Sequence, residues 1–478
     1  MQFMLIELPT AVACAPKNTW RTRAVRHPAF PVSKAPHVPG YFRRMRSSLL
    51  AASLVVGCAG TAPTATRGIA EPDYYRPAET LAPDRVYSPT IRTVQCFKSG
   101  FELAAPVIEL GGTEQVVLRF DDLAPAIEDL SYTMVHCDHA WVPTDLPVGV
   151  YLEGASNAYL PPGRQSYNTL QPFIHYELVV PNMDMRPIRS GNYLIKVYRG
   201  GDEEDLVLTR RFLVMEPVTS INARVAPTRQ VDLRDAAQQV DFTINTNNLP
   251  VQDPFGELHV TVLQNMRWDD ARTGAQPRFV RGSELVYDFP PQGLFMAGNE
   301  HRNFDAKNLR FVTNRIERIT PGAGEQVYEA WLMPEPSRTI RRYNSQQDIN
   351  GKFLVRNDLV DGDPLGADYV LVHFTLPLDA PLPSDPYVYG QLSDWQCKPE
   401  FRMRWEEAKH AYQAAILLKQ GFYDFSFVTQ AKGEAPDITT IEGSHFETEN
   451  DYTVLLYYTD RMQRLDRLVG VRWVNSRR

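Results

Sequence analysis

The segment Leu130-Ser131-Tyr132-Thr133-Met134-Val135-His136-Cys137 decides the fold of this chain. It is rich in β-branched and aromatic residues, and the turn Ser190-Gly191-Asn192 introduces a similar run, Tyr193-Leu194-Ile195-Lys196-Val197-Tyr198. Runs of this kind, bounded by Gly, Pro, Asn and Asp at short spacing, are typical of strands in a sandwich or barrel. No helical periodicity of any length follows residue 57, so we predict an all-β protein.

The same strand pattern recurs through the chain from residue 91 onward. The predicted strands of the first part are 93–97, 115–120, 130–137, 175–180, 193–198 and 211–215. Those of the middle part are 223–225, 240–244, 259–264, 309–312 and 315–319. Those of the last part are 369–374, 387–390, 412–418, 423–427 and 452–458. We therefore predict tandem immunoglobulin-like β-sandwich domains at 89–217, 218–346 and 347–478.

An apolar segment before these strands predicts export and lipidation. Arg43, Arg44 and Arg46 precede an apolar run that ends in Val55-Val56-Gly57-Cys58. This order of positive charge, apolar run and small residue before a cysteine resembles a bacterial lipoprotein signal. The run is too short to span a bilayer. We expect a signal peptide at 45–57, with Cys58 acylated as the first residue of the mature chain.

The segments on either side of this signal have simpler compositions. Residues 1–44 are rich in Arg and Pro without periodicity, and we expect a non-native upstream extension there, with translation beginning at Met45. Residues 58–88 are small and polar with four interspersed prolines. Such a composition cannot bury enough apolar surface to fold alone, so we predict a flexible tether.

The net charge and the cysteine content limit which kinds of partner and which disulfides this protein can have. The chain carries a net charge of −7, and residues 1–57 contain eight Lys or Arg and one acidic residue, which leaves −14 from Cys58 onward. This balance disfavours nucleic-acid binding and adhesion to anionic lipid, so the lipid would hold the protein at the membrane. Of the five cysteines, Cys96, Cys137 and Cys397 remain free after processing. We favour isolated buried thiols for these three cysteines, and a single Cys96–Cys137 disulfide remains an alternative.

Several clusters contain residue types suited to catalysis or to metal binding. His136-Cys137-Asp138-His139 contains only metal-ligand types, but in a strand two of these side chains point to each face. Two carboxylate-rich segments, Asp121-Asp122 and 447–451, are further candidates. Their spacing does not show whether they serve glycoside hydrolysis, bind calcium or only face solvent. The sequence contains no nucleophile elbow, phosphate loop or zinc helix. We predict no catalytic residue, cofactor or metal.

One segment of the last predicted domain suggests a ligand or partner contact. Tyr387-Val388-Tyr389-Gly390, followed by Gln391-Leu392-Ser393-Asp394-Trp395 and the strand at 412–418, resembles a glycogen-binding-type carbohydrate module. In that fold an exposed tryptophan can stack on a sugar ring. Trp395 is therefore a candidate contact for a glycan or a partner, although packing at a hairpin edge is the more ordinary role for such a residue.

Motifs spread over residues 90–470 resemble one family, the plug protein of the type IX secretion system of Bacteroidetes-type bacteria. They include Leu118-Arg119-Phe120-Asp121-Asp122-Leu123, Val135-His136-Cys137-Asp138 with Trp141, Asn168-Thr169-Leu170-Gln171, Gln264-Asn265 with Arg267-Trp268-Asp269, Asp348-Ile349-Asn350-Gly351 and Glu447-Thr448-Glu449-Asn450-Asp451-Tyr452. The resemblance implies a periplasmic, non-enzymatic subunit. It would bind the outer-membrane translocon barrel and seal its periplasmic opening when no cargo-shuttling partner is docked.

Two other functions remain alternatives at this point. The first is a lipid-anchored glycan-binding β-sandwich protein that uses Trp395. The second is an enzyme whose carboxylates come from distant loops. The expected location in every non-enzymatic case is the periplasm, at the inner leaflet of the outer membrane, with Cys58 as the anchor.

Overall fold

The computed structural model describes residues 84–322, 326–360 and 362–477. All of these residues fall within one compact unit of the chain, and the other unit, Met1–Gly68, lies outside them. The predicted upstream extension, signal peptide, Cys58 and most of the tether therefore lie outside the described residues. Among the described residues, no helix has the length and apolar character needed to cross a membrane.

The first part of the chain forms a sandwich of two sheets. Its strands are β1 (Arg85–Val86), β2 (Ile91–Lys98), β3 (Val107–Glu109), β4 (Val116–Asp122), β5 (Leu130–Cys137), β6 (Leu152–Gly154), β7 (Ala158–Tyr159), β8 (Arg164–Gln165), β9 (Ile174–Val180), β10 (Met185–Pro187), β11 (Gly191–Arg199) and β12 (Leu206–Met215). One sheet has the order β1-β12-β11-β5-β7 with β3 parallel to β12, and the other has the order β2-β4-β9-β8. We call this unit the first sandwich.

The rest of the chain forms two further sandwiches. Its strands are β13 (Ser220–Pro227), β14 (Ala237–Asn245), β15 (Leu258–Gln264), β16 (Arg272–Thr273), β17 (Phe279–Arg281), β18 (Glu284–Tyr287), β19 (Leu294–Met296), β20 (Arg302–Asp305), β21 (Ile316–Pro321), β22 (Tyr328–Leu332), β23 (Phe353–Val355), β24 (Tyr369–Pro377), β25 (Pro386–Tyr389), β26 (Arg404–Glu406), β27 (Ala411–Lys419), β28 (Gly421–Thr429), β29 (Asp451–Asp460) and β30 (Leu465–Asn475). The α-helices are single turns, α1 (Val148–Tyr151), α2 (Pro254–Glu257) and α3 (Thr439–Glu442).

Strand pairing divides these strands between a second and a third sandwich. In the second sandwich, the sheet β13-β14-β18-β17 faces the sheet β16-β15-β29-β30. In the third sandwich, β28 pairs with β20, β23 and β25, and this sheet faces β21-β22-β24-β27-β26. The third sandwich is thus inserted between β19 and β29 of the second.

Each sandwich has its own apolar core, and a further apolar cluster joins the first two. On β11, Tyr193, Ile195 and Val197 point into the first core, because alternate side chains of a strand face the same side. Leu194, on the opposite face, joins Leu213 of β12 and Leu455 of β29 in the cluster between the sandwiches. This explains why β11 is buried on both faces.

The structure confirms the all-β fold but differs from the predicted segments in three places. The predicted third domain comprised 347–478, whereas β20–β22 before it belong to the third sandwich. At its end, β29 pairs with β15 of the second sandwich and β30 pairs with β29. The predicted tether reached residue 88, whereas β1 pairs with β12. The predicted strand at 309–312 is a loop. The side-chain Oδ1 atoms of Asp305 and Asn308 accept hydrogen bonds from backbone N–H groups two residues later and so close turns there.

Candidate functional site at the junction of the three sandwiches

A cleft with a cavity volume of about 320 Å³ opens where the three sandwiches meet. The first sandwich contributes Leu103 and Arg211, the second contributes Trp268, and the third contributes Lys352 and Trp395. Its walls therefore combine indole rings with basic side chains. We call this feature the junction cleft.

Local backbone geometry places Trp395 at the junction cleft. A 3-10 turn at Gln391–Ser393 follows β25, and both Asp394 and Trp395 then adopt a left-handed φ of 55°. The Asp394 carboxylate accepts a hydrogen bond from Arg210 of the first sandwich at 2.8 Å and also binds Lys398. Burial alone would raise the pKa of Asp394, but the charges of Arg210 and Lys398 hold it below its usual value. This ionic bridge fixes the Trp395 loop against the first sandwich.

The Trp395 side chain is half-buried, and its ring is packed from several sides. The Arg267 guanidinium of the second sandwich lies over the ring, 4.9 Å from its centroid. Tyr389 and His301 approach the ring edge-on at 5.5 and 6.0 Å. Gly351 lies so close that a Cβ there would overlap the indole. Trp395 therefore helps to join two sandwiches, and only its remaining surface lines the cleft.

Two basic side chains in the cleft are partly desolvated. Lys352 donates from Nζ to the Leu103 carbonyl at 2.7 Å, and burial lowers its pKa. The Arg211 guanidinium lies 4.4 Å from the Trp141 ring centroid and 5.2 Å from that of Trp268. Burial also lowers the pKa of Arg211. The lining also contains the acidic residues Asp84, Glu102, Asp269 and Asp394, so the cleft combines aromatic rings with charged side chains of both signs.

The contact between the first and third sandwiches centres on Asp121. Its carboxylate accepts hydrogen bonds from Lys419 at 2.6 Å, His175 at 2.7 Å and Tyr369 at 2.8 Å. Asp121 and Lys419 are each 1% exposed. Burial alone would raise the pKa of Asp121, but Lys419 and His175 lower it. The residue predicted as one of a carboxylate pair is thus part of a buried ionic contact between sandwiches, while Asp122 accepts from the backbone of Ala124.

The contact between the first and second sandwiches contains the histidines of the 136–139 motif. His136 is buried and lies 3.2 Å from the Ser190 carbonyl, and Cys137 packs in the apolar cluster. His139 instead binds Asp466 of β30 through Nδ1 at 2.6 Å, and its ring stacks on His259 at 3.7 Å. Its bond to Asp466 raises the pKa of His139. His136 and Cys137 thus lie on opposite faces, as strand alternation predicts, whereas Asp138 and His139 come together because β5 ends at Cys137.

Asp138, His139 and Asp466 bring potential ligand atoms within 4.8 Å of one another. Protein groups already satisfy them, since Asp138 accepts the N–H groups of Ala140 and Val142 at 2.9 and 2.8 Å. The Asp466 side chain accepts from both the ring and the backbone of His139. We therefore treat this group as an interface contact.

Other predicted positions are spread over the molecule. Cys96, Cys137 and Cys397 are free thiols, so the Cys96–Cys137 bridge does not form. Within 447–451, Glu447 is exposed, whereas the backbone N–H of Glu449 binds Glu300 at 3.2 Å. The sequence analysis did not identify Lys419. A lysine directly after the apolar residues of a strand would have been the signal that a buried acidic partner exists.

Comparisons with known proteins agree with the architecture. The family model described as "Type 9 secretion system plug protein 1st domain" matches residues 91–216, which correspond to the first sandwich. That family is a secretion-system plug family and not an enzyme family. No curated protein matches the chain.

Solved structures extend the likeness beyond the first sandwich. A crystal structure of a hypothetical protein from Parabacteroides merdae is 32% identical, with a TM-score of 0.78, and the match covers 82% of this chain and 99% of that one. An alkylpurine DNA glycosylase from Pseudomonas fluorescens is 14% identical over 26% of this chain and 30% of its own, and its TM-score of 0.16 carries no structural argument. The chain therefore carries the first domain of the type 9 secretion system plug protein family, at residues 91–216.

Proposed function

We propose that this protein binds the outer-membrane translocon barrel of type IX secretion and closes its periplasmic opening when no cargo-shuttling partner is docked. The acylated Cys58 would hold it at the inner leaflet of the outer membrane. An anchor raises the local concentration of a stopper near its pore, so the plug can re-dock after each release. The family match over the first sandwich supports the plug role.

The structural observation that supports sealing is the rigid connection of the sandwiches. A stopper must resist deformation, and domains with small polar contacts move relative to one another. Here the first and third sandwiches share the buried Asp121–Lys419 pair, and the first and second share an apolar cluster around Leu455. The junction cleft adds the Arg210–Asp394 bridge. These contacts join the three sandwiches directly, and all described residues belong to one compact unit.

A purification and a permeability assay test the proposal together. The chain, tagged at its C-terminus, should recover a very large barrel from solubilised outer membranes. Deletion of the gene should admit a bulky hydrophilic antibiotic such as vancomycin, because an unsealed wide pore leaks. The matched control deletes the barrel as well, and this second deletion should abolish the leak. Recovery of no barrel, together with unchanged antibiotic entry, would overturn the proposal.

We propose the junction cleft, with Trp395, as a contact for a translocon segment. Trp395→Phe retains an aromatic ring in the loop, and reduced barrel recovery by this variant at an unchanged Tm would report on the contact and not on folding. Trp473→Ala is the control, since Trp473 is 48% exposed on β30 and lies outside the cleft lining. Equal recovery by wild type and Trp395→Phe would exclude the contact.

A further inference from the structure

Two imidazole rings lie face to face where the first sandwich meets the second. His139 directly follows β5 and its turn in the first sandwich, and His259 belongs to β15 of the second. Their ring centroids are 3.7 Å apart, and their planes differ by only 6°. Histidine is the side chain whose ordinary pKa places its change of charge close to neutral pH. The two sandwiches are therefore joined through a pair of groups that a proton can charge.

One carboxylate, that of Asp466 on β30, holds both rings in place. Its Oδ2 accepts from Nδ1 and from the backbone N–H of His139, at 2.6 and 2.9 Å. Its Oδ1 accepts the hydroxyl of Thr459 at 2.6 Å. Because that hydroxyl donates its proton to Asp466, its oxygen accepts from Nε2 of His259 at 3.0 Å. The neutral His259 ring thus carries its proton on Nε2, and a second proton would enter at Nδ1.

The groups that face the stacked rings favour one imidazolium and disfavour two. The hydrogen bond to Asp466 raises the pKa of His139. Burial and the charge of His139 lower the pKa of His259, although Asp466 and Asp138 act in the opposite direction. Tyr457 of β29, whose ring centroid lies 6.4 Å from that of His139, adds no charge because burial raises its pKa. A second proton would therefore place two cationic rings in contact.

The rings border the apolar cluster that joins the first two sandwiches. Cys137, two residues before His139, is 0% exposed within this cluster. His136, on the other face of β5, instead lies against Tyr193 inside the first sandwich, and burial lowers its pKa. The stacked pair is therefore the titratable contact between the sandwiches, whereas His136 is internal to one of them.

We propose that the His139–His259 pair is an acid-sensitive contact that loosens the first sandwich from the second when the second imidazole takes up a proton. The contribution of His259 to stability is complete above its ordinary pKa of 6.5 and is lost as the pH falls below that value. The contribution of His139 is complete below 6.5 and is lost only as the pH rises through its raised pKa. Acid therefore acts through His259. This inference does not depend on the proposed function.

Thiol labelling of Cys137 in the full chain measures the opening of this contact. The reagent 4,4′-dithiodipyridine reacts with exposed thiols in mild acid, and peptide mass spectrometry identifies which cysteine is labelled. The labelling rate is expressed relative to that of the urea-unfolded chain at the same pH. We expect this relative rate for Cys137 to rise about tenfold between pH 7 and pH 5, the factor that corresponds to one pKa unit.

Two variants and a control assign the effect to His259. His259→Gln keeps an amide that can donate to Thr459, and His259→Phe keeps a flat ring against His139; neither takes up a proton, so both should show a rise of about twofold or less. His410→Asn is the control, because His410 is exposed at a left-handed φ of 47° that asparagine tolerates, and it should keep the full rise.

Two results would overturn the proposal. The first is a relative labelling rate of Cys137 that stays constant between pH 7 and pH 5 in the wild type. The second is an equal rise in the wild type and in whichever His259 variant folds, which would assign the opening to His136. Either result would leave the proposed plug function untouched.

Discussion

The substitution Lys419→Met tests whether the sandwiches are joined through the buried contact at Asp121. Lys419 and Asp121 are both 1% exposed, with Nζ and Oδ2 2.6 Å apart. Removal of one partner from a buried pair typically costs about 3–5 kcal/mol, because the other charge remains buried. Here His175 and Tyr369 still donate to Asp121. We therefore expect the lower end, about 3 kcal/mol, in the free energy of unfolding.

Urea unfolding followed by tryptophan fluorescence and circular dichroism measures this loss. The double variant Asp121→Asn/Lys419→Met leaves no buried charge, so it should recover to within about 1 kcal/mol of wild type. Arg186→Met is the control, because Arg186 and Glu153 form a pair whose side chains are 60% and 58% exposed. Its cost should stay below about 1 kcal/mol. A loss below about 1 kcal/mol for Lys419→Met, or additive losses in the double variant, would refute the reasoning.

Three further predictions concern other contacts. Gly351→Ala should cost more than about 3 kcal/mol, because its Cβ would overlap Trp395, whereas Gly282→Ala, at a φ of 63° in open space, should cost only about 1–2 kcal/mol by thermal unfolding. Leu455→Ala should cost about 2–4 kcal/mol in urea, since the side chain is 0% exposed between two sandwiches, while Leu359→Ala, at 48% exposure, should change little. Burial alone would raise the pKa of Glu442, but Arg302 and Arg338 lower it to about 2, so its contribution is present above its ordinary value of 4.5 and is lost as the pH falls toward 2. Urea midpoints measured between pH 5 and 2 should show this decline, and Glu442→Gln should flatten it.

Strand positions were predictable because burial leaves a local trace in the sequence. The segment Leu130–Cys137 was located to the residue, since its alternation and its flanking turns are both local signals. The same reasoning failed at 309–312, where Phe311 and Val312 are apolar but 68% and 58% exposed. Apolar composition indicates a strand only when a neighbouring strand is available, and the local sequence carries no information about that neighbour.

The pairing of strands and the contacts of the candidate site residues were not predictable either, because both depend on residues far away in the sequence. Asp121 was recognised as a candidate acid, but Lys419 reaches it across 298 residues. The turn at 348–351 was recognised as a family motif, while the hydrogen bond from Ile349 to Asp424 depends on how β28 passes behind that turn. Trp395 follows a local turn formed by Gly390 and the residues after it, and its role as a contact stays a prediction.

The insertion of the third sandwich into the second has a consequence for how the chain is made. Gln264 and Tyr452 are hydrogen bonded across 188 residues, and β29 and β30 follow all other described strands in chain order. The first and third sandwiches have all of their strands before the second does. Strands β14 and β15 must therefore wait with uncovered apolar faces, which exposes the nascent chain to aggregation and chaperone capture. Loss of β29 and β30 would remove the strand partner of β15 and so destabilise the second sandwich, which lies earlier in the chain.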